Sequence, residues 1–407
     1  MLHRWHTRDK PDKSVTAGIT HIIMSFANSS IFSSQPAGEY TPFQPVSEVR
    51  GLVDGSVKVC LAIGGWGDNA GFSEAVKTDG SRHNFARNVA STLDRLGFDC
   101  ADIDWEYPGG NGEDYKRVPN QSKASEIDAF PRLLQEVKAA IGDKELSIAV
   151  PGLRRDMIAF TPRQVPKINQ AVDFVNVMTY DLMNRRDEHT THQTSIQATL
   201  LAIDRYIDLG FPAFKLAVGF PFYAKWFTTQ EGYTCEEPVG CPVELLENPE
   251  DGSDTGKSGS MTFEEANFVS PPESLMISPD QTCGAGTSFK CPDGLCCSSA
   301  GYCSGTTDAH CTGCQSAYGR CEGPDLYSSF HKALEQGRTD EDAGAQWYWD
   351  ADDRIFWSWD TPELIFQKIT TLAKSRGVRS IMAWSLGLDG HDWRHLKAMQ
   401  EAFNKHY

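Results

Sequence analysis

The stretch Asp99-Cys100-Ala101-Asp102-Ile103-Asp104-Trp105-Glu106-Tyr107-Pro108 places carboxylates where a strand would carry them in register. Residues two apart on a strand face the same side, so Asp102, Asp104 and Glu106 form one row, about 6.8 Å between successive members. The run lies between Phe98 and Tyr107 and contains Trp105, which does not suit a solvated acidic edge. Buried charge of this density is costly unless protons are shared. Neighbouring carboxylates cannot all ionise, so at least one keeps its proton to higher pH. Glu106, at the C-terminal end of the row, is the expected general acid, able to protonate a leaving oxygen near neutral pH. Asp104 is expected to stabilise a developing cation or to relay a proton from Asp102.

Such a row needs a strand inside a closed core, and the rest of the chain supplies candidates. Apolar strand-like runs recur at 19–26, 57–63, 98–105, 146–150, 174–179, 214–220 and 380–385. Helical periodicity marks 81–96, 124–141, 194–209 and 362–375, with Gly97, Gly142, Gly210 and Gly377 as stops. With a shortened first strand near residues 1–5, the pattern predicts an α/β fold, a (β/α)8 barrel with active-site groups at the C-terminal ends of its strands. A doubly wound open sheet is disfavoured, because no Gly-rich phosphate loop follows the first strand. The alternation vanishes between Lys225 and Ala345, which is too long for a connecting loop. The expected organisation is a barrel from 1–224 and 346–407, with an inserted domain at 225–345 between strands 7 and 8. Trp347, Tyr348, Trp349, Trp357 and Trp359 crowd its exit and suggest a strand pair facing a groove, with core packing as the plainer alternative.

The chain has 407 residues, 40% hydrophobic and 23% charged, with a net charge of −17. Length fits one barrel plus an insertion, and the acidic balance argues against a nucleic-acid partner. No stretch approaches 18 apolar residues, so no membrane-spanning segment is expected. Eight of the 12 cysteines lie between Cys283 and Cys321, namely 283, 291, 296, 297, 303, 311, 314 and 321. An even number in a short Gly/Ser/Thr-rich stretch reads as a disulfide-stapled module at 282–322, and zinc is disfavoured because only Cys311 and Cys314 have C-x₂-C spacing. No metal or cofactor is expected. Cys235 and Cys241 could pair, whereas Cys60 and Cys100, each in or beside an apolar run, read as buried free thiols. Disulfides imply an oxidising compartment, so a secreted protein is expected although residues 1–6 lack a signal-peptide core. Sequons at Asn28 and Asn120 agree.

The motif Asp99-x-x-Asp102-x-Asp104-x-Glu106, after Gly97-Phe98 and before Tyr107-Pro108, resembles the signature of family 18 glycoside hydrolases, the chitinases. Ala62-Ile63-Gly64-Gly65-Trp66 resembles that family's Ser-x-Gly-Gly motif, Met178-Thr179-Tyr180-Asp181 its Met-x-Tyr-Asp motif, and Pro221-Phe222-Tyr223-Ala224-Lys225 its Pro-Phe-Tyr-Gly-Arg segment. Trp384 stands where the family keeps a Trp under the bound sugar. The resemblance implies substrate-assisted retaining hydrolysis of β-1,4 bonds between N-acetylglucosamine units. Glu106 would be the acid, Asp104 would stabilise an oxazolinium intermediate with Asp102 behind it, and Tyr180 and Asp181 would hold the acetamido group. Phe26, Trp66, Tyr107, Met178, Tyr223, Lys225 and Trp384 would contact substrate. Ala62 lacks the hydroxyl that usually meets the inner aspartate, and Lys225 lacks arginine's bidentate fork.

The cysteine module resembles hevein-type chitin-binding domains through Cys296-Cys297-Ser298 and Gly301-Tyr302-Cys303. That likeness implies bridges 283–297, 291–303, 296–311 and 314–321, with Ser298, Tyr302 and His310 at sugar-binding places. The expected partner is chitin or chito-oligosaccharides, bound by a monomer. The competing readings are a chitin lectin, a chitin-binding toxin subunit of the fungal killer-toxin type, and an endo-β-N-acetylglucosaminidase acting on N-glycans. Glu106 argues against the lectin. Trp66, Trp105 and Trp384 argue for a polymer groove.

Overall fold

A computed structural model describes residues 1–2, 10–264, 267–268, 271–298, 301–305, 311, 314–321, 323–390 and 392–406. Six apolar runs form parallel neighbours in chain order: His21–Ala27 (β1), Lys58–Gly64 (β2), Cys100–Asp104 (β3), Glu145–Pro151 (β4), Phe174–Met178 (β5) and Leu216–Pro221 (β6). Their near-continuous burial is that of strands covered on both faces. The chain then leaves for an antiparallel sheet of Tyr223–Thr228 (β7), Ser258–Thr262 (β8), Arg338–Asp340 (β9), Ala345–Asp350 (β10) and Ile355–Trp359 (β11), ordered β9-β10-β11-β7-β8. It returns as Ser380–Trp384 (β12), parallel to β6.

The curled sheet from β1 to β12 has its two ends joined by Met1 and Leu2. Leu2 exchanges backbone hydrogen bonds with Ile23 and Ser25, while Met1 N donates to Ala383 O and Leu386 N donates to Met1 O. Leu2 and Met1 thus take the place expected of the first strand; residues 3–5 of that expectation lie outside the described residues.

Helices between the strands follow the periodic segments within two residues, and the differences have local causes. Helix Asp79–Leu96 starts two residues early because Thr78 caps it, accepting from Ser81 N while Ser81 returns the bond. Gly97, at φ 78°, ends it in the left-handed conformation. Helix Ile196–Asp208 starts late because Ser195 is its N-cap, accepting from Ala198 N.

Three expectations need correction. The three tryptophans at 347, 357 and 359 pack inward and do not line the cavity of the carboxylate row: Trp357 and Trp359 are buried with Trp226, Phe330 and Leu326, and Trp347 with Phe227, Phe356 and Met183. Core packing claims these three, because β10 and β11 each lie inside the antiparallel sheet, while Tyr348 and Trp349 on β10 are half-buried. The antiparallel sheet also takes residues 223–228 and 345–359, so it reaches past 225–345 at both ends. Finally, Cys60 and Cys100 form a disulfide. They are register partners on the adjacent strands β2 and β3, with Cα atoms 4.4 Å apart. Cys235–Cys241 and the bridges 283–297, 291–303, 296–311 and 314–321 are also formed.

Candidate active site

Strand β3 points its even-numbered side chains into the barrel. Asp102 and Asp104 are buried there, and Glu106, just beyond the strand, opens partly to a cavity. Odd-numbered Trp105 turns the other way: it is buried, stacks on Phe72 at 5.2 Å and donates to Asn69, so its expected place in a groove is wrong. Period two decides this. Asp99 sits at the outer end, accepting from Val59 N and from Arg50.

The inner carboxylate is held from two neighbouring strands. Ser147 Oγ on β4 and Asn176 Nδ2 on β5 donate to Asp102 Oδ1 at 2.5 and 3.0 Å, while Oδ2 has no hydrogen-bond partner. Ala62, opposite Asp102 on β2, offers nothing polar, so the hydroxyl reaches Asp102 from β4. Burial pushes the Asp102 carboxyl up to about 6, against the pull of those two hydrogen bonds. Asp104 is raised well above the usual carboxylate range by burial first, then by the charges of Glu106 and Asp102. Burial lifts Glu106 to about 8, a Tyr107 hydrogen bond opposes this, and Asp181 and Asp156 add to it. Near neutral pH, Glu106 is therefore a protonated acid facing an open cavity.

Close approach of β2 keeps this cluster tight. Gly64 has φ 111°, and a Cβ there would lie 2.1 Å from Asp104 O, which only glycine tolerates. At Gly65 a Cβ would strike the Phe26 ring.

Around the carboxylates lies a cavity of about 390 Å³ lined by Phe26, Trp66, Asp104, Glu106, Tyr107 and Met178, and further by Tyr180, Asp181, Tyr223, Lys225 and Trp384. Phe26 and Trp384 stack at 5.4 Å, and Trp66 is 48% exposed with its ring edge-on to Tyr107. Tyr223, Lys225 and Phe227 alternate on β7, and this face of the strand meets the cavity while Ala224 and Trp226 pack beneath. Tyr223 OH donates to Asp181 Oδ1 at 2.8 Å, and Lys225 Nζ lies 3.3 Å from the same oxygen. Tyr180 is buried against Gly219, where a Cβ would come within 2.7 Å of its ring.

Every substrate-contact residue expected from the sequence meets this cavity, with Asp102 behind it. Ser298 and Tyr302 of the module do not. Tyr302 is 54% exposed in the disulfide-rich segment, where Ser298 Oγ accepts from its backbone N–H; His310 lies outside the described residues. Among the described residues, one cluster of three ligand-type atoms close enough for a metal is Cys283, Cys291 and Cys297, whose sulfurs are committed to disulfides.

Sequence reasoning missed Ser147, Asn176, Gln193 and Arg186. Ser147 and Asn176 carried a signal, each being a polar residue inside an apolar strand. Gln193 is fully buried, accepts from Asp181 N and donates to Tyr223 O, so it ties the loop after β5 to β7. Its role depends on contacts 12 and 30 residues away.

The raised Glu106 carboxyl makes a stability prediction. The folded protein holds this proton to about pH 8, the unfolded chain only to about 4.5. Between those values the folded state binds more protons, so this group makes stability fall as pH rises. Glu106→Gln removes that slope. Melting curves from pH 4 to 8 should show the variant's Tm pulling ahead of wild type as pH rises. A difference that is flat or reversed would contradict the assigned titration.

Residues 2–389 match the model of the glycosyl hydrolases family 18. Chitotriosidase-1 of Mus musculus is 28% identical over 264 residues, 61% of this chain and 55% of that protein. Endochitinase 1 of Metarhizium robertsii is 28% identical over 247 residues, 53% of this chain and 56% of that protein. The chain thus spans about half the length of these curated relatives. The fold is that of the Ostrinia furnacalis Group II chitinase catalytic domain 2 (TM-score 0.64, 19% identity, 95% of this chain and 89% of that one). It is equally that of a Rhizomucor miehei chitinase (TM-score 0.64, 18% identity, 97% of each). A mutant Cycas revoluta chitinase, solved in complex with (GlcNAc)4, matches at TM-score 0.60 and 19% identity over 94% of this chain and 92% of that one. With a family model covering nearly its whole length, this chain belongs to the glycosyl hydrolases family 18.

Proposed function

We propose that the chain is a chitinase, hydrolysing β-1,4 bonds between N-acetylglucosamine units with retention and with help from the substrate's own acetamido group. The observation that carries this reading is the protonated Glu106 at the mouth of a buried carboxylate row, facing the Tyr180–Asp181–Tyr223 cluster. Glu106 donates its proton to the glycosidic oxygen as the bond to C1 breaks. The acetamido carbonyl oxygen attacks C1 and forms an oxazolinium ion. Asp104 faces the nitrogen of that ion and offsets its positive charge as its own proton passes to Asp102 behind it. Tyr180 and Asp181 orient the acetamido group, Tyr223 and Lys225 hold Asp181 by its Oδ1, and Glu106, now ionised, draws a proton from the water that opens the intermediate. Phe26 and Trp384 offer a stacked aromatic floor for a sugar ring, with Met178 beside it and Trp66 and Tyr107 as a second aromatic wall.

The chitinase names of the matched relatives support this substrate class. A lectin would not need Glu106, and neither the toxin subunit nor the N-glycan enzyme gains support from the matches. Six disulfides support secretion into an oxidising compartment, and no helix among the described residues is long and apolar enough to cross a membrane. Residues 282–322 would form a separable chitin-binding module, supported by its four bridges and the exposed Tyr302 ring.

Glu106→Gln should lower kcat on soluble chito-oligosaccharides by about 10²–10⁴-fold with KM little changed, because only the proton is lost. A correctly folded variant keeping roughly a tenth of the wild-type rate would overturn the assignment. Separately, Tyr302→Ala should weaken pull-down on insoluble chitin without altering turnover of soluble oligosaccharides; unchanged pull-down would remove the module from the reading.

A further inference from the structure

Side-chain contacts that the proposed chemistry does not use cross one flank of the barrel mouth. Glu247, nearly buried in the segment after β7, accepts from the Tyr115 phenol and lies 2.8 Å from Lys116 Nζ, both in the loop after β3. Lys116 Nζ also donates to Asn248 O at 3.0 Å. Seven residues further on, Asp254 pairs with Arg185 at 3.1 Å, from the loop after β5. Arg186 lies beneath: its guanidinium covers the Tyr115 ring at 3.9 Å, reaches the Trp66 ring at 5.6 Å, and donates to Asn111 O and Gly112 O, both at 2.9 Å.

The order of strands decides what these contacts enclose. In the ring closed by Met1–Leu2, β3 and β6 are three places apart, with β4 and β5 between them. A tie from the loop after β3 to the segment that follows β6 and β7 therefore passes over the β4–β5 side. Glu113, Tyr115, Arg185, Glu247, Gly252 and Asp254 all line the same cavity as Glu106. Farther round the rim stand Trp384 and Phe26, from strands β12 and β1, while half-exposed Trp66, just after β2, stands beside Arg186.

From this arrangement we infer that residues 247–254 act as a clasp that walls off one end of the sugar groove, making the enzyme release products of a single short length. The inference rests on the chitinase reading above and specifies how that site takes its polymer. In a groove open at both ends, any linkage of a long chain can settle beside Glu106, and product lengths scatter. With one end walled, the number of sugar units that fit between the wall and Glu106 is fixed, and one product length results. Glu247 is suited to hold the wall because it is nearly buried between a phenol and an ammonium group, so the contact is not a loose surface pair. The Arg186 stack ties the clasp to the aromatic wall of the cavity.

Product lengths from chitopentaose, chitohexaose and chitoheptaose, separated at equal low conversion, test the clasp. Wild type should give one length in large excess from all three. Glu247→Ala should shift the profile toward neighbouring lengths in comparable amounts. The pair Tyr115→Phe with Lys116→Met cuts the same ties from the other side, keeps the ring under Arg186 stacking, and should give the same shift if Glu247→Ala folds poorly. Scattered products from wild type, or profiles that ignore both changes in folded proteins, would overturn the clasp while leaving the chitinase reading intact. Absence of any release by wild type would sink both.

Discussion

The structure is organised around the cost of placing carboxylates in a barrel interior. Asp102 and Asp104 have almost no contact with water, and Glu106 has little. Water cannot solvate three adjacent charges there, so the protein holds protons on the row instead. That constraint explains why Ser147 and Asn176 stand in otherwise apolar strands, since each supplies a donor to Asp102. It also explains why Gly64 and Gly65 cannot carry side chains, because the end of β2 must press against Asp104 and Phe26. The same constraint makes an acid of Glu106 at a pH where an exposed glutamate would be ionised.

Chemistry at one end of the row needs a substrate held in register with it, and here the antiparallel sheet joins the barrel. A single residue, Phe222, separates β6 from β7, so Tyr223 and Lys225 reach the cavity from the antiparallel sheet while Tyr180 and Asp181 reach it from the loop after β5. Gln193 couples the two by bonding to both backbones. Behind it, Thr194 meets Asp360, which is paired with Lys368; all three are buried. A buried ion pair that also satisfies a hydroxyl fixes the position of the loop it touches more than it adds to net stability. The Tyr180–Asp181–Tyr223 cluster is thus held by contacts spread along most of the chain.

Local patterns made much of this legible. Period two read Asp102, Asp104 and Glu106 as one row, and the same rule, applied to Trp105, would have removed it from the groove. Strand runs and helix stops appeared as apolar blocks and glycines because those signals are confined to a few neighbouring residues. What escaped was set by register between distant segments. Cys60 and Cys100 look like separate buried thiols until β2 and β3 are aligned. The tryptophans at 347, 357 and 359 have the same composition whether they face a groove or a core, and the covering residues Phe330 and Met183 decide the matter. Arg186 joins Trp66, Tyr115 and Asp156 across three loops, which no single stretch reveals.

Direct titration of the Glu106 side chain tests most sharply whether a buried carboxylate row creates the acid. Carbon-13 NMR of glutamate-labelled protein, with the resonance assigned by its loss in Glu106→Gln, follows that carboxyl from pH 4 to 9. The structure predicts a midpoint near 8. It also predicts that Asp181→Asn, which removes a charge that raises Glu106, moves the midpoint down. A Glu106 carboxyl titrating near 4.5, the value of an ordinary glutamate, would contradict the mechanism at its source.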